Sequence, residues 1–344
     1  MNEISTAFQI PNHLNAHIPA EQRGLRRDQV KMMVVGIDRK PVHSRFDLLD
    51  QFLNSGDVLV LNKSRTIPPV LRGSQGNNPI EIRLSRKLST NQWEALVLGR
   101  VINRKQPIYF PDGVTARIAG MGSERPLVSL TFSETGSSLF SFIYDYGDPI
   151  RYEYIDYPWP LDTYQTVYGS VPGSAEMPSA GRAFTWKMIK HLKAKGIKIA
   201  FLHLHTGLSY YEDDRWPDPK NHPEPYHVPL ETVKIIQQAK AARKRIIAVG
   251  TTVVRALETS VNEEGNLYES EGNTSLYVDQ HYKHAVVDGL LTGFHEPEAS
   301  HLDMLSSFLP ANELLKAYEE ALQNNYLWHE FGDMNLLFSS SDQS

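Results

Sequence analysis

The chain has no cysteine, which removes any disulfide framework and any thiolate chemistry. Long apolar runs are also missing. The strongest, Ile246 to Val249 and Ile199 to Leu202, stop well short of the roughly 20 residues needed to cross a bilayer. The opening MNEISTAFQIPNHLNAHIPAEQRG lacks a basic region followed by an apolar one, so a cytoplasmic protein with no membrane contact is expected. A basic excess is absent too. With 35 Lys and Arg against 40 Asp and Glu, the formal charge is −5 at pH 7, so any nucleic-acid contact must come from a local patch. Neither G-x-G-x-x-G nor G-x-x-x-x-G-K-[ST] occurs, which leaves the ordinary dinucleotide and P-loop sites without support.

What is present suffices for large cores. Hydrophobic residues make up 41% of the 344 positions, with 16 Tyr, 13 Phe and 5 Trp, and this excludes wholesale disorder. The length suggests one large or two medium domains, and the texture favours two. From about Pro68 to Tyr146, short apolar runs alternate with Gly, Asn, Asp and Ser clusters, the pattern of a small antiparallel barrel. Beyond Tyr164, helical and strand-like segments alternate: Phe184 to Lys195 and Leu230 to Arg243 read as helices, Ile197 to Leu204 and Arg245 to Val249 as strands. Further helices are expected at Phe46 to Leu53, Thr252 to Val261, Ala299 to Phe308 and Asn312 to Asn324, with strand-like stretches at Ser275 to Val278 and Leu290 to Phe294. The expected fold class is α/β. Residues 1–67 and 150–338 form the main α/β domain, 68–149 an inserted antiparallel β-barrel domain, and 339–344 a flexible tail.

Three stretches could carry chemistry. The apolar strand before Gly250-Thr251-Thr252 runs directly into a helical pattern, presenting free N–H groups and two hydroxyls to a carboxylate, ribose or phosphate. A plain capped helix, with Arg255 and Glu258 paired one turn apart, fits the same residues. His203 and His205 share one face of an extended strand, and with His222, Glu224, His227, His295 and His301 they would suit a hydrolytic zinc centre. Two histidines at that spacing also arise by chance among 13. The Gly- and Pro-rich segment from Gly169 to Gly181 is long enough to line a cleft or merely to connect domains.

Taken in order, these pieces resemble the S-adenosylmethionine:tRNA ribosyltransferase-isomerase family of the queuosine pathway. The resemblance runs from about Pro19 to Phe338. It rests on Gly56-Asp-Val-Leu-Val-Leu-Asn62, Arg65-Thr-Ile-Pro68, Tyr164-Gln-Thr-Val-Tyr168, Pro178-Ser-Ala-Gly181, Leu204-His205 with Gly207, His222-Pro-Glu-Pro-Tyr226, Ala248 to Glu258, Leu290-Leu-Thr292 with Phe294-His295, and Gly332-Asp-Met334. It implies transfer and isomerisation of the ribosyl part of S-adenosylmethionine onto 7-aminomethyl-7-deazaguanine in tRNA. Epoxyqueuosine-tRNA forms, and adenine and methionine leave. S-adenosylmethionine is then a consumed co-substrate, and no metal is expected.

Such chemistry needs a base, a donor to the leaving adenine, and groups that hold the substrates. On the matched positions His205, His222, Glu224 and His295 are the candidate acids and bases. Arg65, Tyr164, Gln165, Thr166, Ser179, Gly181, Gly207, Gly250, Thr251, Thr252, Arg255 and Phe294 are the candidate substrate-binding residues. A monomer and a homodimer fit the sequence equally well.

The chain departs from the family in the loops. Asn62-Lys-Ser-Arg65 stands for Asn-Asp-Thr-Arg, and Ala183 for a histidine. Glu176 and Arg182 add charges, Leu208-Ser-Tyr-Tyr211 stands for Leu-Gly-Thr-Phe, and Glu298 replaces a lysine. The expectation is that Glu176, Glu296 and Glu298, if they line the cleft, exclude tRNA. The alternatives are then a divergent relative binding an adenosyl or nucleoside ligand with altered or lost catalysis, or a metal-dependent hydrolase built on the histidines.

Overall fold

The computed structural model describes residues 8–99, 103–211, 215–218, 220–297 and 301–339. Glu298, Ala299 and residues 340–344 lie outside the described residues. The strands are, in chain order, β1 (Lys31–Val35), β2 (Pro41–Arg45), β3 (Val58–Asn62), β4 (Ser64–Thr66), β5 (Val70–Gln75), β6 (Asn78–Lys87), β7 (Gln92–Leu98), β8 (Ile108–Tyr109), β9 (Thr115–Met121), β10 (Val128–Phe132), β11 (Val171–Ser174), β12 (Lys198–Leu204), β13 (Glu224–Val228), β14 (Ile246–Val249), β15 (Ser270–Thr274), β16 (Gly289–Gly293) and β17 (Met334–Phe338). The helices are α1 (Gly136–Tyr146), α2 (Trp186–Ala194), α3 (Leu230–Ala241), α4 (Thr251–Thr259), α5 (His301–Leu305) and α6 (Ala311–Gln323).

Nine strands form a mixed sheet in the order β15-β13-β12-β3-β14-β16-β17-β1-β2. Its middle is parallel: β3 pairs with β12 on one side and β14 on the other, and β14 pairs with β16. Val58 to Asn62 and Ile246 to Val249 are apolar at nearly every position because both faces are covered. Alternation then splits β3 between two cores. Val58 and Val60 pack with Ile236 of α3, Val254 and Leu257 of α4 and Tyr318 of α6. Leu59 and Leu61 pack with Phe46, Leu49 and the α2 residues Met188 and Leu192.

The segment from β5 to β10 closes into an antiparallel barrel, β10-β7-β6-β5-β8-β9. Ile80, Ile82, Leu84, Trp93 and Leu130 fill it, and α1 plugs it with Leu139, Phe142 and Ile143. Val70, Leu96 and Leu127 of the barrel region pack against Leu208 and Tyr211, which follow β12. This contact brings the barrel to the end of the sheet.

Several local expectations are refined. Phe46–Phe52 is a 3-10 helix. The strand expected at Ser275 to Val278 is a loop after β15, because the Leu276 N–H goes to the Thr274 hydroxyl (3.1 Å) and its carbonyl to the Arg255 side chain. The Gly169 to Gly181 segment is not wholly irregular, since β11 pairs in parallel with β4. Ser339, expected in a flexible tail, donates its N–H to Asp288 O at 2.9 Å.

Candidate active site

The carboxyl ends of the parallel strands β3, β12, β14 and β16 open into a cavity of about 360 Å³, the position where open α/β sheets bind ligands. Segments after β12, β14 and β16, the Ala175–Ala180 loop, the Tyr-rich stretch at 149–154 and His329-Glu330 line it.

One wall is the turn from β14 into α4. Gly250 takes φ 95°, a left-handed value suited to glycine, and a side chain there would crowd Ala180. The buried Asn62 holds the strand ends around this turn. Its amide donates to Leu204 O (2.9 Å) and the Thr252 hydroxyl (3.1 Å), while its carbonyl accepts from the N–H groups of Ser64 and Leu204. Thr251 and Thr252 line the cavity at the start of α4. Arg255, one turn on, does not pair with Glu258. It forms an ion pair with Glu224 and donates to Leu276 O (3.0 Å) and Thr274 O (3.2 Å). Glu258 instead accepts the N–H groups of Ala285, Val286 and Val287. The Glu224 carboxylate also accepts the Gly207 N–H at 3.3 Å.

The opposite wall is acidic and aromatic. Glu176 accepts hydrogen bonds from Tyr152 and from Ser209 N (2.7 Å), and burial without a cation pushes its carboxyl up to about 7. Tyr154 donates to Glu330 (2.5 Å), whose carboxyl is likewise raised by burial. The rings of Tyr152, Tyr154 and His329 form a column, with centroids 6.0 and 4.1 Å apart. Glu296 lies 3.5 Å from His329 Nδ1.

The cavity histidines are held neutral. Burial lowers His222, whose Nδ1 is 3.0 Å from the Tyr211 hydroxyl. His295 and His301 stack with centroids 4.5 Å apart, and burial plus the neighbouring rings push His295 well down. Burial, aided by Arg255, takes His301 to about 4. The Nε2 of His295 shares a 2.9 Å hydrogen bond with the Thr292 hydroxyl.

Of the candidate residues, Tyr164, Ser179, Gly207, His222, Glu224, Gly250, Thr251, Thr252, Arg255, Phe294 and His295 meet at this cavity. His205, Arg65, Gln165, Thr166 and Gly181 do not line it. His205 shares a face with His203 (ring centroids 5.0 Å), but β4 and β11 cover that face: its Nδ1 bonds the Ser64 hydroxyl at 2.7 Å and Gly173 packs on its ring. Gln165 clamps the backbone of Thr66 at 3.2 and 2.8 Å. Arg65 reaches Gly169 O, Thr166 is buried beside Gly169, and Gly181 lies under the Tyr168 hydroxyl. Ala183, where a histidine was expected from the resemblance, is in the sheet core, and Arg182 is tied to Glu21 (3.0 Å) and Thr163 O. Among the described residues no group of three or more His, Asp or Glu side chains is arranged to hold a metal ion.

Sequence reasoning missed Tyr152, Tyr154, Ser209, Tyr277, His329 and Glu330 as cavity residues. Only the clustering of aromatics at 152–159 hinted at the first two.

Residues 5–337 match a family model described as "Queuosine biosynthesis protein". Among curated relatives, the S-adenosylmethionine:tRNA ribosyltransferase-isomerase of a Sulfurihydrogenibium species is 33% identical over 341 residues, covering 96% of this chain and 98% of the relative. The protein of the same name from Thermus thermophilus is 34% identical, covering 93% and 97%. A crystal structure of an S-adenosylmethionine tRNA ribosyltransferase from Thermotoga maritima is 27% identical, with a TM-score of 0.54 and coverage of 96% and 99%.

Proposed function

Because the chain belongs to the queuosine biosynthesis protein family, we propose that it is an S-adenosylmethionine:tRNA ribosyltransferase-isomerase, a cytoplasmic enzyme that consumes S-adenosylmethionine and modifies tRNA. The observation that carries the reading is likeness over nearly the full length of relatives bearing that name. The cavity at the strand ends supports it, because the matched segments at 178–181, 207, 222–224, 250–255 and 292–295 reach it from separate parts of the chain. In this reading residues 68–149 are the inserted barrel domain.

The chain's own groups divide the work. The N–H groups at Thr251 and Thr252 face an anionic or ribose oxygen. Arg255 is already committed to Glu224 and to two carbonyls, so its role is to fix Glu224 rather than to take a phosphate. Buried neutral imidazoles at His222 and His295 are ready to accept or relay protons at neutral pH. Their environment disfavours the charged form, which makes them poor resting acids.

The exclusion of tRNA expected from the acidic replacements is set aside. Glu176 and Glu296 do line the cavity, but Glu176 is bonded inward by Tyr152 and Ser209, with a carboxyl near half-protonation at neutral pH, and Glu296 lies beside His329. Neither the zinc hydrolase nor the non-catalytic relative is favoured by the named relatives.

The test is one incubation of protein, S-adenosylmethionine and tRNA carrying the aminomethyl-deazaguanine base. Adenine and methionine released only when both substrates are present is the expected result. Saturable binding of both without release would overturn the proposal.

A further inference from the structure

His222 stands where the barrel meets the end of the sheet. The barrel's β9–β10 turn is closed by the Leu127 N–H bonding to Glu124 O at 2.9 Å, and it carries the Glu124 side chain to Tyr211. Tyr211 is 1% exposed and donates its hydroxyl proton to Glu124 Oε1 at 2.9 Å. A phenol has one proton to give. Toward His222 Nδ1, 3.0 Å away, the same oxygen therefore only accepts. Nδ1 must carry the imidazole proton, and Nε2 is left with its lone pair. That Nε2 is buried, has no hydrogen-bond partner among the described residues, and abuts Gly207 so closely that a side chain there would collide with it.

We propose that Glu124 and Tyr211 are positioning residues that fix His222 in the Nδ1–H tautomer, so that its Nε2 acts as the base of the cavity and the barrel takes part in the chemistry through Glu124. Resting on the functional reading above, the step is proton removal from the carbon next to the sulfonium. The C–H bond breaks, an Nε2–H bond forms, and the electron pair stays on carbon beside the positive sulfur. The new imidazolium keeps its Nδ1–H on Tyr211, with the Glu124 carboxylate 3.6 Å away to offset its charge.

Other charged groups also face His222. Glu224 comes from β13, Glu94 from β7 and Arg86 from β6. The carboxylates favour its protonation, while Arg86 and burial oppose it.

Two measurements decide the proposal. Nitrogen-15 NMR of the wild-type imidazole reads the tautomer independently of any activity. A protonated Nδ1 and bare Nε2 at His222 are expected, and a protonated Nε2 overturns the relay even if the enzyme is active. If the protein releases no adenine, the functional reading fails while the NMR result still stands for or against the relay. In the active enzyme, Tyr211→Phe should lower kcat about tenfold with little change in KM, the scale of lost orienting contacts. Glu124→Gln keeps an acceptor but removes the charge, so the acid limb of the kcat profile should move to lower pH. Wild-type kcat and an unmoved limb in both variants would also overturn it.

Discussion

Two glutamates of the cavity, the buried Glu224 and the partly buried Glu176, have surroundings that could hardly differ more. Glu224, on the strand side, meets the Arg255 guanidinium and the Gly207 N–H, and Arg255 is itself anchored by two carbonyls. Glu176, on the loop side, meets a tyrosine hydroxyl and a backbone N–H but no cation, and burial lifts its carboxyl to about 7. One side chain type thus supplies a compensated ion pair at one wall and a titrating acid at the other. The difference lies in what the fold delivers: α4 brings a cation to β13, whereas the elements around the Ala175–Ala180 loop give Glu176 a hydroxyl and a backbone N–H.

Removing one partner of the ion pair should have the largest effect. Glu224→Ala leaves the Arg255 charge buried beside two carbonyls and should cost about 3–5 kcal/mol in urea unfolding, whereas the double change Glu224→Leu with Arg255→Met should recover most of that loss. A loss under 1 kcal/mol in the single variant would make the two glutamates energetically alike.

Glu176→Gln tests the other wall. Its folded carboxyl is raised from 4.5 to about 7, so between those values the native state binds more protons than the unfolded chain, and stability falls as pH rises through this window. The penalty is complete above about pH 7 and absent below the unfolded value. The variant should therefore be more stable than the parent at pH 8, by at most about 3 kcal/mol, and equal to it at pH 4. Equal thermal midpoints at both pH values would show that Glu176 does not titrate in this window.

Tyr152→Phe should have the smallest effect, about 1 kcal/mol of stability. It removes a donor that favours the Glu176 carboxylate, so the pH window should widen upward. A downward shift of the Glu176 midpoint, read by carbon-13 NMR, would reverse the assigned role of the hydroxyl.

The strand side was the readable one. Gly250-Thr251-Thr252 and Arg255 follow an apolar strand directly, and His222 and Glu224 stand two residues apart, so short-range pattern brought them to notice. The barrel was legible from its turn punctuation and the central strands from their unbroken apolar runs. The loop side was legible only in part: the 169–181 segment and Glu176 stood out as able to line a cleft, but Tyr152, Ser209 and Glu330 join Glu176 only through the topology. His205 shows the limit within one strand. Alternation correctly set it on the face of His203, but nothing local announced that β4 and β11 would cover that face. Tyr211 was hidden differently, since its ring fills an apolar contact with the barrel while its hydroxyl, which composition treats as incidental, bridges Glu124 and His222.

The last described strand, β17, lies inside the nine-stranded sheet, between β16 and β1. Met32 to Val35 therefore find their inner neighbours only at Met334 to Leu337. On the ribosome, the first strand made waits through some three hundred residues of synthesis with one side paired to β2 and the other bare. The barrel, whose six strands all lie between residues 70 and 132, has no such delay. A nascent chain of this protein thus carries a finished barrel on an open sheet, and loss of Met334–Phe338 would leave the β1–β2 pair cut off from the other six strands.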